Sequence, residues 1–287
     1  MKSKKNPYLH SPLNYTGGKY KLLSQIIPLM PNKINTFVDL FMGGGNVITN
    51  VNAKNKIGND YVEQLISLYR TIQNVPIQDV INHIEGKINQ YNLSKTNKEG
   101  YLTFRKDYND NPEKYCLDLF TLICYSFNNQ IRFNSKGEYN MPFGKDKSCF
   151  NDSIKNNLII FKERLENTTL FNKDFRFVTQ LPLIPGDYVY CDPPYLITMA
   201  SYNENGGWTE NDERDLLLIL DNLNEKNIYF GLSNVLSNKG KNNDILLEWI
   251  NKNNYTVHHL NHTYGNCNYH AKDKSTSSTD EVFITNY

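Results

Sequence analysis

The chain has 287 residues, of which 39% are apolar and 13% aromatic, and its formal net charge is +1. That is enough apolar material for a real core in one large domain, or in one domain carrying a substantial insertion, and a charge so close to zero neither requires nor rules out a polyanionic partner. No apolar run reaches membrane-spanning length, and the Lys-rich start is not followed by a signal-type apolar segment, so the expectation is a cytoplasmic protein with no membrane association and no evident obligatory protein partner.

Cys116, Cys124, Cys149, Cys191 and Cys267 show no C-x-x-C spacing and are odd in number, which fits reduced thiols. Lys2, Lys4, Lys5, Lys19 and Lys21 fall in the first stretch without one acidic residue, a local basic patch or simply a solvated end. Asn14-Tyr15-Thr16-Gly17-Gly18-Lys19 then predicts a glycine turn feeding a helix through Leu22, Leu23, Ile26 and Ile27 that stops near Pro28 or Pro31. It is not a phosphate loop, because Lys19 is followed by Tyr20 and the G-x-x-x-x-G-K-[ST] spacing is absent. A lysine and an aromatic beside a glycine turn can still line a cofactor pocket.

Thr36 to Phe41 reads as a buried strand ending in Met42-Gly43-Gly44-Gly45-Asn46. Glycines after a strand allow a tight turn and close approach of a ligand to the main chain, and a plain tight turn is an equal reading. A second strand, Lys56 to Asn59, ends in Asp60, which either accepts hydrogen bonds from ribose hydroxyls, as such acids do in doubly wound sheets, or caps a helix beginning at Tyr61. Val62, Leu65, Tyr69 and Ile72 give that helix its apolar face.

From Pro76 the text turns polar and helical, and residues 76–150 read as an insertion in the sheet. Within it lies Ser126-Phe127-Asn128-Asn129-Gln130-Ile131-Arg132-Phe133-Asn134, then Gly137, then Asn140-Met141-Pro142-Phe143-Gly144. Asn, Gln and Arg can read base edges bidentately and the interleaved Phe residues can stack or wedge, although a polar hairpin on an Asn-rich protein gives the same text.

Helix at Ile154 to Leu165 and strand at Thr168 to Phe171 lead to the apolar run Tyr188 to Cys191 and then Asp192-Pro193-Pro194-Tyr195. Two prolines stiffen the backbone where that strand must end, holding a carboxylate, the Pro193 carbonyl and an aromatic ring at its terminus. Such a group suits a planar molecule with an exocyclic amine, offering two acceptors for its N–H bonds and a ring to stack on. The alternative is a turn with an N-capping Asp, but this tetrapeptide should arise by chance in about one such chain per thousand. Beyond it come a Gly- and Asn-containing loop from Met199 to Gly207 and a capping box at Thr209-Glu210-Asn211-Asp212. A strand at Ile228 to Leu232, a helix at Asn243 to Asn251 and strands at Tyr255 to Leu260 and Glu281 to Thr285 follow. His258, His259, His262, Cys267 and His270 match no standard zinc spacing and read as exposed residues around a strand end, with no metal. Alternating strands and helices predict an α/β fold with a doubly wound, mostly parallel, Rossmann-like sheet.

Together these pieces resemble the Dam-type DNA adenine-N6 methyltransferases along nearly the whole chain. The family order is an aromatic-x-Gly-Gly-Lys segment, an F-x-G-x-G loop, an inserted recognition domain and DPPY. Here these are Tyr15 to Lys19, Phe41 to Gly45, residues 76–150 and Asp192 to Tyr195. The resemblance implies S-adenosyl-L-methionine as methyl donor, with a pocket at Tyr15, Lys19, Phe41, Gly43, Gly45, Asp60 and Asp192, and catalysis by Asp192, Pro193, Pro194 and Tyr195. It implies a catalytic domain of residues 1–75 and 151–287 and a mainly helical DNA-recognition domain of 76–150, with a hairpin near 127–144. The run FNNQIRFN-x-x-G-E-Y-N-x-P-F-G is similar to that of enzymes modifying GATC in double-stranded DNA. By that likeness Arg132 contacts guanine, Phe127 and Asn128 fill the space left by a flipped adenine, and Asn129, Asn140 and Pro142 complete the DNA-facing set. Tyr15 stands where many members carry Trp, and Asn129-Gln130 replaces a small-apolar pair. The rival expectations are a catalytically silent DNA-binding protein on the same fold and a methyltransferase acting on RNA or a protein amide.

Overall fold

A computed structural model describes residues 7–198, 207–261 and 279–287. In chain order these form α1 (Leu23–Ile26), β1 (Thr36–Asp39), β2 (Asn55–Asn59), α2 (Glu63–Asn74), α3 (Ile77–Gln90), α4 (Lys98–Asp110), α5 (Cys116–Tyr125), α6 (Asp152–Leu165), β3 (Thr168–Phe171), β4 (Tyr188–Cys191), α7 (Glu210–Glu225), β5 (Tyr229–Asn238), β6 (Lys241–Asn242), α8 (Asp244–Asn253), β7 (Thr256–His259) and β8 (Thr279–Thr285). The chain divides into two compact units. One comprises Met1–Tyr20, Gly43–Asn50 and Val62–Asn172, and the other Lys21–Met42, Val51–Tyr61 and Lys173–Tyr287.

The second unit carries strands in the order β2-β1-β4-β5-β8-β7, with β6 paired to β5. The first four run parallel, and β8 joins β5 antiparallel, as does β7 with β8. This is a mixed α/β architecture with a mostly parallel sheet, consistent with the Rossmann-like fold. The central strands read as continuous apolar runs because parallel strands bury both faces: every residue of β4 is buried, and so are Phe37 and Val38 of β1. The Phe37 ring stacks on Tyr188 at 5.8 Å and Tyr190 lies 6.3 Å from Phe283. Gly231 of β5 is there for space: a Cβ on it would run into the Tyr188 hydroxyl and the Phe283 ring. Helix α7 packs on β5 and α8 and starts with the expected capping box, in which Thr209 and Asp212 exchange hydrogen bonds.

In the first unit α5 is the core. Nine of its ten residues, from Leu117 to Tyr125, are buried, and α2, α3 and α4 pack against it. This unit holds the 76–150 segment together with α2, α6 and β3. Among the described residues no helix is long and apolar enough to cross a membrane.

Three local expectations change. The helix expected after the glycine turn is a 3-10 turn at Lys19–Leu22, the single turn α1 and a second 3-10 turn at Ile27–Leu29, with Pro28 at its start. Helix α2 begins at Glu63, not Tyr61, and its N-cap is Val62 without a side-chain capping bond. Strand β5 extends past Leu232 to Asn238, because its polar Ser233 and Asn234 are fully buried in the sheet and not at a strand end.

Candidate active site

Strand β1 is flanked by β2 on one side and β4 on the other, so the chain reverses its direction across the sheet between β1 and β4. In open α/β sheets ligands bind outside the carboxyl ends of strands at such a switch point. Asp39 ends β1 there and Asp192-Pro193-Pro194-Tyr195 follows β4 directly.

Asp192 and Tyr195 are half-buried and Pro193 is buried. The Tyr195 hydroxyl lies 3.0 Å from Asp192 Oδ1 and 3.4 Å from Glu281 Oε1, on β8. Glu281 is 2% exposed and Asp39 1%. Burial pushes the Tyr190 hydroxyl well above its ordinary pKa, and the charges of Asp192, Asp39 and Glu281 push it further against the Ser233 hydrogen bond. Burial, Asp39 and Asp192 do the same to the Cys191 thiol, which stays protonated and inert. Three carboxylates thus make this strand end electronegative.

Phe41 follows β1 and forms a triangle of rings with Phe175 and Trp208, its centroid 5.6 Å from each, with 5.2 Å between those two. Trp208 is fixed by its indole N–H, which donates to Glu213 Oε2 at 2.6 Å. Glu213, in α7, is fully buried, and its Oε1 accepts from Asn234 Nδ2 at 3.1 Å and Asn243 Nδ2 at 3.0 Å. Asp60 is 9% exposed at the end of β2. Next to it, Asn59 donates from Nδ2 to Leu40 O and Lys173 O and accepts from the Lys173 N–H, locking the ends of β1 and β2 together.

The first unit brings the other expected residues into one cluster. The Gly18 N–H closes a turn on Tyr15 O at 3.0 Å, and the nearly buried Lys19 ammonium donates to Gly17 O at 2.9 Å. Gly43 and Gly45 adopt φ values of 46° and 72°, which glycine enters without strain. A Cβ on Gly44 would come within 3.0 Å of Tyr15 Cβ and 3.3 Å of Asn46 Nδ2, so this glycine loop packs directly on the Tyr15 turn. The Tyr69 hydroxyl holds the Gly43 carbonyl at 2.6 Å and Thr49 holds Gly45 O.

The 127–144 segment is a hairpin of isolated bridges, Ser126 with Phe143 and Phe133 with Tyr139, and not of continuous strands. Phe127 is exposed, while Asn128 and Asn129 take left-handed φ values of 54° and 52°. The Asn129 amide donates to Ile123 O and Cys124 O, closing the carboxyl end of α5, and Asn128 O accepts from Asn14. Arg132 is exposed and its guanidinium is held against the second limb, with Nε donating to Asn140 Oδ1 at 2.8 Å and Nη2 to Asn140 O at 3.3 Å. Pro142 is exposed and its carbonyl accepts from the Phe127 N–H. One face of α4 holds the second limb: Tyr101 and Arg105 donate to Met141 O, and Asn109 exchanges two bonds with the Tyr139 backbone.

Sequence reasoning missed Trp208, Phe175, Glu213, Glu281 and the α4 clamp. Of these only Glu281 carried a signal, as an acid in an apolar strand. His259 pairs with Asp280 at 2.8 Å, and burial lowers the His258 pKa. His262, Cys267, His270, Lys2, Lys4, Lys5 and most of the Met199 to Gly207 loop lie outside the described residues. Cys116, Cys124, Cys149 and Cys191 are free thiols.

The pattern of the D12 class of N6 adenine-specific DNA methyltransferases matches residues 15–266. The chain belongs to that family. It is 49% identical to the type II methyltransferase M.FokI of Planomicrobium okeanokoites, over 100% of this chain and 44% of that protein. It is 44% identical to the modification methylase StsI of Streptococcus sanguinis, over 98% of this chain and 43% of that one. The chain therefore spans less than half the length of these two relatives. With the DNA adenine methylase of Escherichia coli (strain K12) it shares 28% identity, over 77% of this chain and 79% of that protein. Asp192, Tyr195, Phe41, Gly43 and Gly45 all lie inside the matched span.

Proposed function

We propose that this D12-class chain transfers a methyl group from S-adenosyl-L-methionine to the exocyclic N6 of an adenine flipped out of duplex DNA, as an intracellular, DNA-associated enzyme. The observation that carries the reading is Asp192 Oδ1 at the switch point accepting from a donor, here the Tyr195 hydroxyl at 3.0 Å. An amine would take the place of that hydroxyl.

The residues fit the methyl donor. Gly43 and Gly45, with φ values of 46° and 72°, turn the main chain without side chains, which suits the close approach of a ligand to the backbone. The Phe41, Phe175 and Trp208 rings suit a flat purine, and Asp60 at the end of β2 suits ribose hydroxyls. The three carboxylates Asp39, Asp192 and Glu281 favour a cation. When bound, the cofactor supplies an electrophilic methyl on a positively charged sulfur.

The chain's own work is on the acceptor. Adenine's amino lone pair is delocalised into the ring, and the base is out of reach inside a duplex, so flipping costs a few kcal/mol of unstacking. Tyr195 stacks on the extruded base. Asp192 and the Pro193 carbonyl accept its two amine hydrogens, draw the nitrogen toward sp³ geometry and fix the direction of its lone pair, and Pro194 stiffens the turn. Such alignment supplies much of the acceleration. The proton that the nitrogen sheds on gaining the methyl leaves along the Asp192 hydrogen bond, so no strong base is needed beforehand.

The 76–150 segment is the recognition part in this reading. Arg132 offers its exposed guanidinium to guanine O6 and N7, with Asn140 orienting it through Nε and Nη2. Phe127, Asn128 and Pro142 form the exposed rim, and Asn129 sets its shape by closing α5. GATC as the target rests on the hairpin run alone. The higher identity to the two modification methylases makes their sites the better guide to this chain's own.

Modified-base sequencing of DNA from cells expressing the chain tests both levels. N6-methyladenine at one consensus is expected; none at all would sink the reading, and a consensus other than GATC would remove only the target. Asp192→Ala should abolish transfer while leaving DNA binding largely intact.

A further inference from the structure

The Tyr195 hydroxyl has one proton and two carboxylates within reach, and the shorter contact is to Asp192. In the functional reading above, on which this inference rests, Asp192 Oδ1 must be released to accept the adenine amine. A half-buried tyrosine whose hydroxyl lost its acceptor at that moment would give up a hydrogen bond on every binding event. Glu281 supplies the second acceptor. It sits on β8 opposite Val235 of β5, followed by Val282, Phe283 and Ile284, all fully buried, so a carboxylate at 2% exposure is out of character for its strand. Placing a charge there costs folding free energy that an apolar residue would avoid.

We infer that Glu281 is a positioning residue for base binding: it takes over the Tyr195 hydroxyl when the target amine claims Asp192. The exchange breaks one O–H···O contact and shortens another, with no proton transferred. It also moves the ring only as far as the difference between a 3.0 Å and a 3.4 Å contact requires. The ring is thereby held for stacking by a group that the substrate does not compete for. Asp192 and Glu281 divide the work: one binds the amine, the other keeps the tyrosine.

The test is a mutant cycle on the full chain, read by steady-state methylation and by the fluorescence of 2-aminopurine at the target position, which reports flipping without chemistry. Glu281→Leu leaves the hydroxyl on Asp192. It should raise KM for DNA and weaken flipping about 3- to 10-fold, the worth of one hydrogen bond, with kcat changed less. Glu281→Gln, which keeps an acceptor oxygen, should lie within about threefold of wild type. Adding Tyr195→Phe to Glu281→Leu removes the hydroxyl that competes for Asp192 Oδ1 and should bring KM back toward that of Tyr195→Phe alone. A penalty undiminished in the Tyr195→Phe background would make Glu281 merely structural and overturn the inference, as would an unchanged KM in Glu281→Leu. If Glu281→Leu does not fold, Glu281→Met, which also lacks an acceptor oxygen, carries the same comparison. Absence of any adenine methylation by the wild-type chain is a different result: it removes the functional reading, and this inference falls with it.

Discussion

Replacing Glu213 by Gln changes one oxygen into an NH2 group, in a carboxylate that is fully buried and surrounded by three donors. The remaining oxygen can stay with Asn234 and Asn243, which leaves the new amide facing the Trp208 indole N–H, formerly 2.6 Å from Oε2. The opposite orientation is worse, since it would set the amide against two donors. The loss is one charge-assisted hydrogen bond plus a donor left facing a donor, about 2–3 kcal/mol, reduced to about 2 kcal/mol by no longer burying a charge. For a chain of this size that is a fall of about 4–8 °C in Tm. Differential scanning calorimetry reads it, and Trp208 emission should shift as the indole loosens from Phe41 and Phe175. In a Trp208→Phe background the clashing N–H is gone, and Glu213→Gln should then cost under about 0.5 kcal/mol. An equal fall in both backgrounds would refute the assignment of the cost to the indole bond.

Gly231→Ala should be severe, at about 3 kcal/mol or more, because the new methyl meets the Tyr188 hydroxyl and Phe283 ring inside a packed sheet; thermal unfolding or loss of soluble protein reads it. Burial works to raise the Asp212 carboxyl, but the Thr209 hydroxyl, Arg176 and the Thr209 N–H outweigh it and hold the group below the usual aspartate range. A carboxyl lower in the folded chain than in the unfolded one stabilises above the unfolded pKa and loses that contribution as pH falls through the folded one. The stability gap between wild type and Asp212→Asn, followed by urea titration, should therefore hold from about pH 7 to about pH 5 and close below about pH 4. Arg132→Ala should relax sequence choice at one base by about 1–3 kcal/mol, and Asn140→Ala, which frees the Nε edge, by a smaller part of that; competition between cognate and singly altered sites measures both.

What the sequence displayed and what it hid divide along physical lines. Tyr188 to Cys191 was legible because a strand buried on both faces has no polar residue to interrupt it, and the turn after it because two prolines admit few conformations. The Gly43 to Gly45 loop was visible as a turn, yet its packing on Tyr15 depends on contact between segments far apart in the chain. Glu213 was invisible: in an acidic first helical turn it looks like one more solvated charge, and only Asn234 and Asn243, brought in from β5 and the start of α8, make it a buried hub. Trp208 was hidden for the same reason. In the hairpin, Asn128 and Asn129 were read for their amides, whereas their first use is conformational, with both backbones left-handed and the Asn129 amide engaged by α5.

Asparagine is abundant in this chain and passes for ordinary polar surface. Yet among the described non-glycine residues with positive φ, Asn92, Asn128, Asn129, Asn227 and Asn254 outnumber Asp146 and Lys239. At those five places the residue is a hinge pin of the main chain, in a region that β-branched and bulky residues avoid. A campaign to replace amides for shelf life or solubility would do well to set these five apart from the asparagines that work through their side chains. Asn59, Asn109, Asn234 and Asn243 are held instead by their side-chain amides and need those amides kept. These five accept Gly, and one of them, Asn128, would take the rim of the hairpin with it if changed to a residue that cannot make the turn.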